Sequence, residues 1–555
     1  MTSDNQPIPE PTPTEEFAGN ALKPASLVGE AELSRSFREM QRVLLERPEL
    51  VWSGLAKFVA AAAGQKPVYT LAKDDDRFTS TKWQDLPFSM LLHTHLTARQ
   101  VALEMADEAS FDAEEARRAR LLVNLMFGAF APTNFPWTNP EVFRRTIEER
   151  GLNLAKGIEN FLRDVADNHG MPSQSDRSKF KVGVDLATTP GDIIHRTALF
   201  EIISYAEAET LQKPAILLVP SMINRYYIFD LTPERSLVRY LSDDFDVYTM
   251  SWKNPAPQDS TWRLADYVEA VSDAFTFVAK NLDDSPLHLV GACAAGLITT
   301  LATALRVDRG QSSPATLTLI VSLLDNRPTD TEIGALATDD IVSSEIERVK
   351  RQGVMRDFEL ARAFNLTQPD KLIWAFFIRN YLLGETPPPS EVLYFAGDST
   401  NLSAGLYEDL LGMLSSGLVG KTGAISFGKQ LADLKAVTLP TLVVAATTDR
   451  ISPWQSCFRN LSLLGGAAKF LLTSGGHLQP FLARVEDSRG RFMTNPARTS
   501  DPDQWLATTT KHAGSWWPWW KDWMSRHAPA VLASGAAKKE RISSLAKAPG
   551  TYVFS

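Results

Sequence analysis

The apolar positions change period partway along the chain. From about residue 34 to 167, Phe37, Met40, Val43, Leu44 and, beyond Pro48, Leu55, Phe58 and Val59 recur at three- and four-residue spacing, which predicts helices. Asp112-Ala113-Glu114-Glu115 offers an N-cap residue and early acids, so another helix is predicted to open there. A Pro- and Asn-rich loop, 132–140, precedes a predicted long helix through Ile147, Leu152 and Leu162. After Gly170 short β-rich runs alternate with helical segments. Ala215-Ile216-Leu217-Leu218-Val219 stops at Pro220, and the run 245–250 stops at Ser251-Trp252. Runs 287–290, 317–322, 442–446 and 469–473 follow. Near-continuous apolar strands joined by helices predict a parallel sheet covered on both faces.

This grammar divides the chain. Residues 1–30, rich in Pro, Thr and acid, offer little apolar surface to offset ordering entropy and are expected to be disordered. A helical N-terminal domain is expected over 31–175 and an α/β domain over 176–555. Within the latter, about 328–436 is mostly helical and interrupts two strands expected to be neighbours.

Composition adds limits. At 555 residues, 44% hydrophobic and 22% charged, the chain has the makeup of a globular protein with room for two or more domains. A net charge of −9 gives no support for nucleic acid or an anionic membrane as partner. Two cysteines far apart do not make a disulfide framework, so a cytoplasmic setting is expected. Residues 1–16 lack the basic and apolar regions of a secretory signal, and no uncharged apolar stretch reaches the ~20 residues that span a bilayer.

The stretch with most chemistry is Leu289-Val290-Gly291-Ala292-Cys293-Ala294-Ala295-Gly296-Leu297. A strand meets a turn of Gly, Ala and Cys, and helix formers follow. This is the layout of a nucleophile elbow, which lifts one side chain above the sheet edge; a bulky neighbour would block the close strand–helix approach. Usually the elbow carries serine; here it carries the thiol of Cys293, which points to acyl-thioester chemistry. The fold class expected is therefore α/β, an α/β-hydrolase fold with a helical cap insertion at about 328–436 and a helical N-terminal domain.

A nucleophilic thiol needs a base, and the base needs an acid that fixes its tautomer. The order in this fold is nucleophile, acid, histidine. Of the three histidines after Cys293, His477 lies in Ser474-Gly475-Gly476-His477, just past the last predicted strand, whereas His512 and His527 fall in a Trp-rich tail read as helical. Asp449, past the preceding strand, is the expected acid; the Thr448 and Ser452 hydroxyls could hold its carboxylate and Arg450 bias it toward ionisation. One backbone oxyanion donor is expected at Ala294 and the other at Met222 or Ile223, in the loop after the first core strand. His288 reads as a structural core residue, Cys457 as a buried apolar one, and the Trp516–Trp523 stretch as aromatic packing. His93/His95 and Asp283/Asp284 lack companions at metal-ligand spacing, so no metal site is expected.

At this point the chain resembles the polyhydroxyalkanoate synthases from about residue 85 onward. The resemblance is carried by Val219-Pro220-Ser221-Met222-Ile223-Asn224-Arg225-Tyr226-Tyr227, Ser251-Trp252-Lys253-Asn254-Pro255, Gly291-Ala292-Cys293, Asp370-Lys371-Leu372-Ile373-Trp374, Asn380-Tyr381-Leu382-Leu383-Gly384, Thr448-Asp449, Gly475-Gly476-His477 and the terminal Ala548-Pro549-Gly550-Thr551-Tyr552-Val553. Length and ending are most similar to the single-subunit, medium-chain type. The resemblance implies polymerisation of (R)-3-hydroxyacyl-CoA with release of CoA, the coenzyme A thioester being substrate and no cofactor being required. Cys293 would carry the chain, His477 would deprotonate Cys293 and the incoming hydroxyl, and Asp449 would assist His477. It further implies a homodimer at the surface of cytoplasmic polyester granules, with the cap over the site.

Three positions depart from the family pattern. Ala295 stands where glycine is usual, Arg450 where histidine usually follows the acid, and Gln479-Pro480-Phe481-Leu482 where an asparagine-proline-proline segment is usual. The competing readings are an acyl-CoA thioesterase or esterase of the same fold, and a weakly active granule-associated synthase paralogue.

Overall fold

The computed structural model describes residues 42, 45–62, 75–108, 112–206, 213–282, 285–331, 333–416, 424–427, 430–496, 499–527 and 542–555. The expected disordered stretch 1–30 and the pair Asp283/Asp284 lie outside them. By internal contacts the chain forms two units, Met1–Asp176 with Arg362–Ser390 and Arg177–Ala361 with Glu391–Ser555.

The first unit is helical, as the three- and four-residue spacing predicts: α1 (Pro48–Ala62), α2 (Phe88–Glu108), α3 (Ala113–Ala129), α4 (Pro140–Glu148) and α5 (Leu152–Asp167). Asp112 opens α3 with a capping box. Its Oδ1 accepts from the Glu114 and Glu115 amides at 2.9 and 2.8 Å, and Glu115 reaches back to the Asp112 N–H. The long helix expected through Ile147 and Leu162 is instead two. Arg150 (φ 52°) and Gly151 (φ 84°) are both left-handed, and two such residues in succession end α4. Residues 362–390, part of the predicted insertion, cluster with these helices. Asn153 Nδ2 donates to the Leu382 carbonyl and the Tyr381 hydroxyl to Asp164, each at 2.8 Å.

In the second unit the apolar runs have no polar face, so they are stable only when covered on both sides. Among the described residues eleven strands form one sheet: β1 (Asp192–Arg196), β2 (Phe200–Ser204), β3 (Ala215–Val219), β4 (Asp246–Trp252), β5 (Leu287–Ala292), β6 (Leu317–Ile320), β7 (Thr441–Ala446), β8 (Ala468–Thr473), β9 (Arg491–Thr494), β10 (Thr510–Ala513) and β11 (Ala546–Lys547). Their order is β10-β9-β8-β7-β6-β5-β3-β4-β2-β1-β11. The six predicted runs are the parallel centre, β4-β3-β5-β6-β7-β8, with every residue of β3 to β7 buried. Antiparallel strands flank it on both sides. His512 lies on one of these, β10, rather than in the helical tail expected, and its Nε2 pairs with Thr494 Oγ1 at 2.9 Å.

Helices α6 (Leu237–Ser242), α7 (Leu264–Ala279), α8 (Ala294–Asp308), α9 (Asp339–Gln352), α10 (Asp357–Asn365), α11 (Glu391–Ala396), α12 (Ala404–Ser416), α13 (Trp454–Leu463), α14 (Pro502–Ala507) and α15 (Trp517–His527) complete the helical elements used below. The predicted insertion lies in the chain between β6 and β7, which pair directly, Leu317 with Thr441 and Ile320 with Val444. Parallel pairing delivers the carboxyl ends of β3, β5, β6, β7 and β8 to one edge, where such sheets place their sites.

Candidate active site

The elbow leaves that edge at the end of β5. Cys293 has left-handed backbone, φ 52° and ψ −125°, and stands directly before α8 with its side chain half-buried. Its N–H donates to the Ile320 carbonyl at 2.8 Å, and its own carbonyl accepts from Gly296 at 3.0 Å. The two glycines are there for close approach. A Cβ on Gly291 would lie 2.3 Å from Thr299 Oγ1 and 2.7 Å from Gly296 Cα, and one on Gly296 would lie 2.1 Å from Ser322 Oγ. Ala295, the departure nearest the thiol, is fully buried in the first turn of α8, so its methyl is accommodated.

The other two residues come from the ends of β7 and β8. Asp449 is buried, and its Oδ2 lies 2.7 Å from His477 Nδ1. Oδ1 is held by two backbone amides, Ile451 at 2.8 Å and Ser452 at 2.9 Å. The support expected from the Thr448 and Ser452 hydroxyls is therefore supplied by main chain, because the chain turns around the carboxylate; Thr448 itself is exposed. The turn bearing His477 depends on Gly475 (φ 96°), whose carbonyl accepts from the Thr448 N–H at 2.9 Å and whose N–H donates to Thr447 Oγ1 at 3.2 Å. With Nδ1 committed to Asp449, Nε2 is the nitrogen left for Cys293. Burial pulls the His477 imidazolium down, but the Asp449 carboxylate and the Cys293 sulfur outweigh it and hold the ring well above the ordinary 6.5. Such an arrangement can hold a proton between sulfur and imidazole and return it to a leaving group.

The loop after β3 is held in place by a segment of the insertion. Thr400 N–H donates to the Ile223 carbonyl at 2.8 Å, and its hydroxyl to the Met222 carbonyl at 2.5 Å. The Ile223 N–H donates to Ser221 Oγ at 3.2 Å, so of the two candidate oxyanion donors here Ile223 is already engaged. The Ala294 amide begins α8 directly after Cys293.

Sequence reasoning found the tryptophans at and just before the start of α15 as packing and missed what they hold. Trp516 and Trp517 both donate Nε1 to the Pro480 carbonyl at 3.0 Å, so they brace the altered loop just after His477. The terminal motif is also explained by contacts: the Thr551 and Tyr552 amides donate to the buried carboxylate of Glu201 at 3.1 and 3.2 Å. His288 is fully buried in β5 with Nδ1 2.9 Å from Thr316 Oγ1, and burial pushes its pKa down to about 4. Cys457 is buried in α13, and burial pushes its thiol up. Among the described residues, no three His, Cys, Asp or Glu side chains converge as metal ligands, and no helix is long and apolar enough to cross a membrane.

A parallel-centred sheet with a cysteine on the strand-to-helix turn facing a histidine–aspartate pair defines a protein of the α/β-hydrolase fold. Family comparison agrees and narrows the class. Residues 214–483 match the profile "alpha/beta hydrolase fold", and residues 74–241 match "Poly-beta-hydroxybutyrate polymerase (PhaC) N-terminus". Poly(3-hydroxyalkanoate) polymerase 1 of Ectopseudomonas oleovorans is 33% identical over 86% of this chain and 86% of its own length. The poly(3-hydroxyalkanoate) polymerase subunit of Cupriavidus necator is 31% identical over 93% of this chain and 88% of its own. The chain belongs to the poly(3-hydroxyalkanoate) polymerase family. Among solved structures, a monoacylglycerol lipase from Paleococcus ferrophilus aligns over 60% of this chain and 100% of that one at 12% identity, with a TM-score of 0.34, too slight a likeness to carry an argument.

Proposed function

We propose that this chain is a polyhydroxyalkanoate synthase that polymerises (R)-3-hydroxyacyl-CoA, with Cys293 as the chain-carrying nucleophile, His477 as the base and Asp449 as its orienting acid. The observation that carries this is the left-handed Cys293 elbow facing a His477 already bonded to Asp449, in a member of this family. The Cys293 thiolate attacks the acyl carbonyl, the bond to the CoA sulfur breaks, and the departing sulfur takes a proton from His477. The 3-hydroxyl of the next unit then attacks the Cys293 acyl thioester and gives its proton to His477. An ester bond forms and the Cys293 thiolate leaves; it then attacks the CoA thioester of the elongated chain, which returns the chain to Cys293 and releases one CoA per link. Both acylation steps exchange bonds of similar energy or replace a thioester with an ester, so neither needs an external energy source.

The oxyanion formed at each step is held by the Ala294 N–H and, from the β3 loop, by Met222 rather than the engaged Ile223. The 33% identity to a second Ectopseudomonas oleovorans polymerase as well supports the single-subunit, medium-chain type. The chain works as a homodimer on cytoplasmic polyester granules, with residues about 328–436 as its cap; these points rest on the resemblance of sequence. Incubating the purified protein with (R)-3-hydroxydecanoyl-CoA tests the reading. Equal yields of free CoA and ester links support it. CoA release with free hydroxy acid would mark a thioesterase, and neither product would mark an inactive paralogue.

A further inference from the structure

Ala292 pairs with Ile320 in register, so the residues that follow them, Cys293 and Val321, leave the sheet side by side. Both have left-handed backbone, φ 52° and 47°. In Cys293 this makes the elbow. In Val321, β-branched and fully buried, it is a strained conformation that persists only where neighbours enforce it.

Three contacts enforce it. The Val321 N–H donates to the Val444 carbonyl at 2.7 Å. Ser322, fully buried, lies so close to Gly296 that no Cβ fits between them. Asn460, buried on α13, then takes two nearby backbone groups, one on each side of Leu323: Nδ2 donates to the Ser322 carbonyl at 2.8 Å, and Oδ1 accepts from the Leu324 N–H at 3.1 Å. The helix that carries Asn460 begins just after the Asp449 loop. One side chain thus ties the segment behind the elbow to the helix behind the acid.

We infer that Asn460 is a positioning residue for the reaction. By holding Ser322 against Gly296 it fixes the first turn of α8, and with it the Cys293 sulfur and the Ala294 amide, relative to the Asp449 side of the site. The inference rests on Cys293 being the nucleophile.

The test uses the full chain with (R)-3-hydroxydecanoyl-CoA, well below each variant's unfolding midpoint. Asn460→Ala is expected to lower kcat for CoA release about tenfold or more with KM within about twofold, and to slow iodoacetamide alkylation of Cys293. Asn460→Asp, which keeps the acceptor for Leu324 and loses the donor, is expected to fall between and serves if the alanine variant does not fold. Glycine adopts the left-handed backbone freely. Val321→Gly added to Asn460→Ala is therefore expected to recover kcat without recovering the midpoint. Unchanged kcat and alkylation beside a lowered midpoint would overturn the inference and leave Asn460 a packing residue. Cys293→Ala, run in parallel, separates the two layers. If it keeps full CoA release, the nucleophile assignment is wrong and the positioning role falls with it.

Discussion

Cys293 and Cys457 are placed by neighbouring parts of one sheet and meet opposite surroundings. Cys293 stands on a left-handed turn at the end of β5, half-buried, beside a histidine held by a carboxylate. Cys457 lies in the first turns of α13, fully buried, with its Sγ 3.5 Å from the Ser452 carbonyl. Burial pushes the Cys457 thiol toward its neutral form. The lesson is that reactivity comes from backbone placement and partners; the thiol alone supplies none of it.

The largest effects should separate these two residues. Cys293→Ala is expected to reduce CoA release by at least ~10⁴-fold, the scale of losing a nucleophile that acts as a unit with its base. Cys457→Ala should leave the rate within about twofold and cost about 1 kcal/mol in urea unfolding, the transfer energy of a small buried group. Iodoacetamide should label Cys293 alone in the native protein; native labelling of Cys457 would break the contrast.

Next in size is the carboxylate that holds His477. Asp449→Asn is expected to slow CoA release by about 10²- to 10⁴-fold, by analogy with the loss of a triad aspartate. The same variant gives a pH signature. His477 is raised in the folded state, so the stability it contributes is complete below about pH 6.5, its unfolded value, and is lost as pH rises through the higher folded value. The gap in urea midpoint between the parent protein and Asp449→Asn should therefore be widest at low pH and close as pH rises. A gap that widens with pH would contradict the assignment of the partner.

The smallest effects concern the turn itself. Gly296→Ala places a Cβ 2.1 Å from Ser322 Oγ and should cost about 1–3 kcal/mol of stability as overpacking. Ala295→Gly removes a methyl the helix already accommodates, so a loss of about 0.5–1 kcal/mol and a rate within a few-fold are expected. Thermal unfolding of the two variants, compared directly, sharpens which neighbour of Cys293 the elbow depends on.

What was legible in the sequence follows from which forces are local. The six central strands could be read because burial on both faces demands continuous apolar runs, and Ala215–Val219 was located to the residue. The flanking strands could not. Thr510–Ala513 is mostly exposed and polar, and its strand state comes from pairing with Arg491–Thr494 rather than from its own pattern. The break between α4 and α5 was written in Arg150-Gly151, yet only glycine signals a left-handed turn and the arginine before it gave no warning.

At the candidate site, the meeting of His477 with Asp449 and the turn at Cys293 were legible because chain order and glycine turns mark these positions. The main-chain amides that hold Asp449, the indoles on Pro480 and the Asn460 bridge were not. Each joins segments distant in sequence or uses backbone groups that every residue carries.

The most direct test is mass spectrometry of protein quenched in acid during turnover of (R)-3-hydroxydecanoyl-CoA and then digested. The account predicts 3-hydroxydecanoyl units, singly and as oligomers, as a thioester on the peptide that contains Cys293, none on the peptide containing Cys457, and no adduct in Cys293→Ala. CoA release at full rate with Cys293 unmodified, or with the acyl group on another residue, would contradict it.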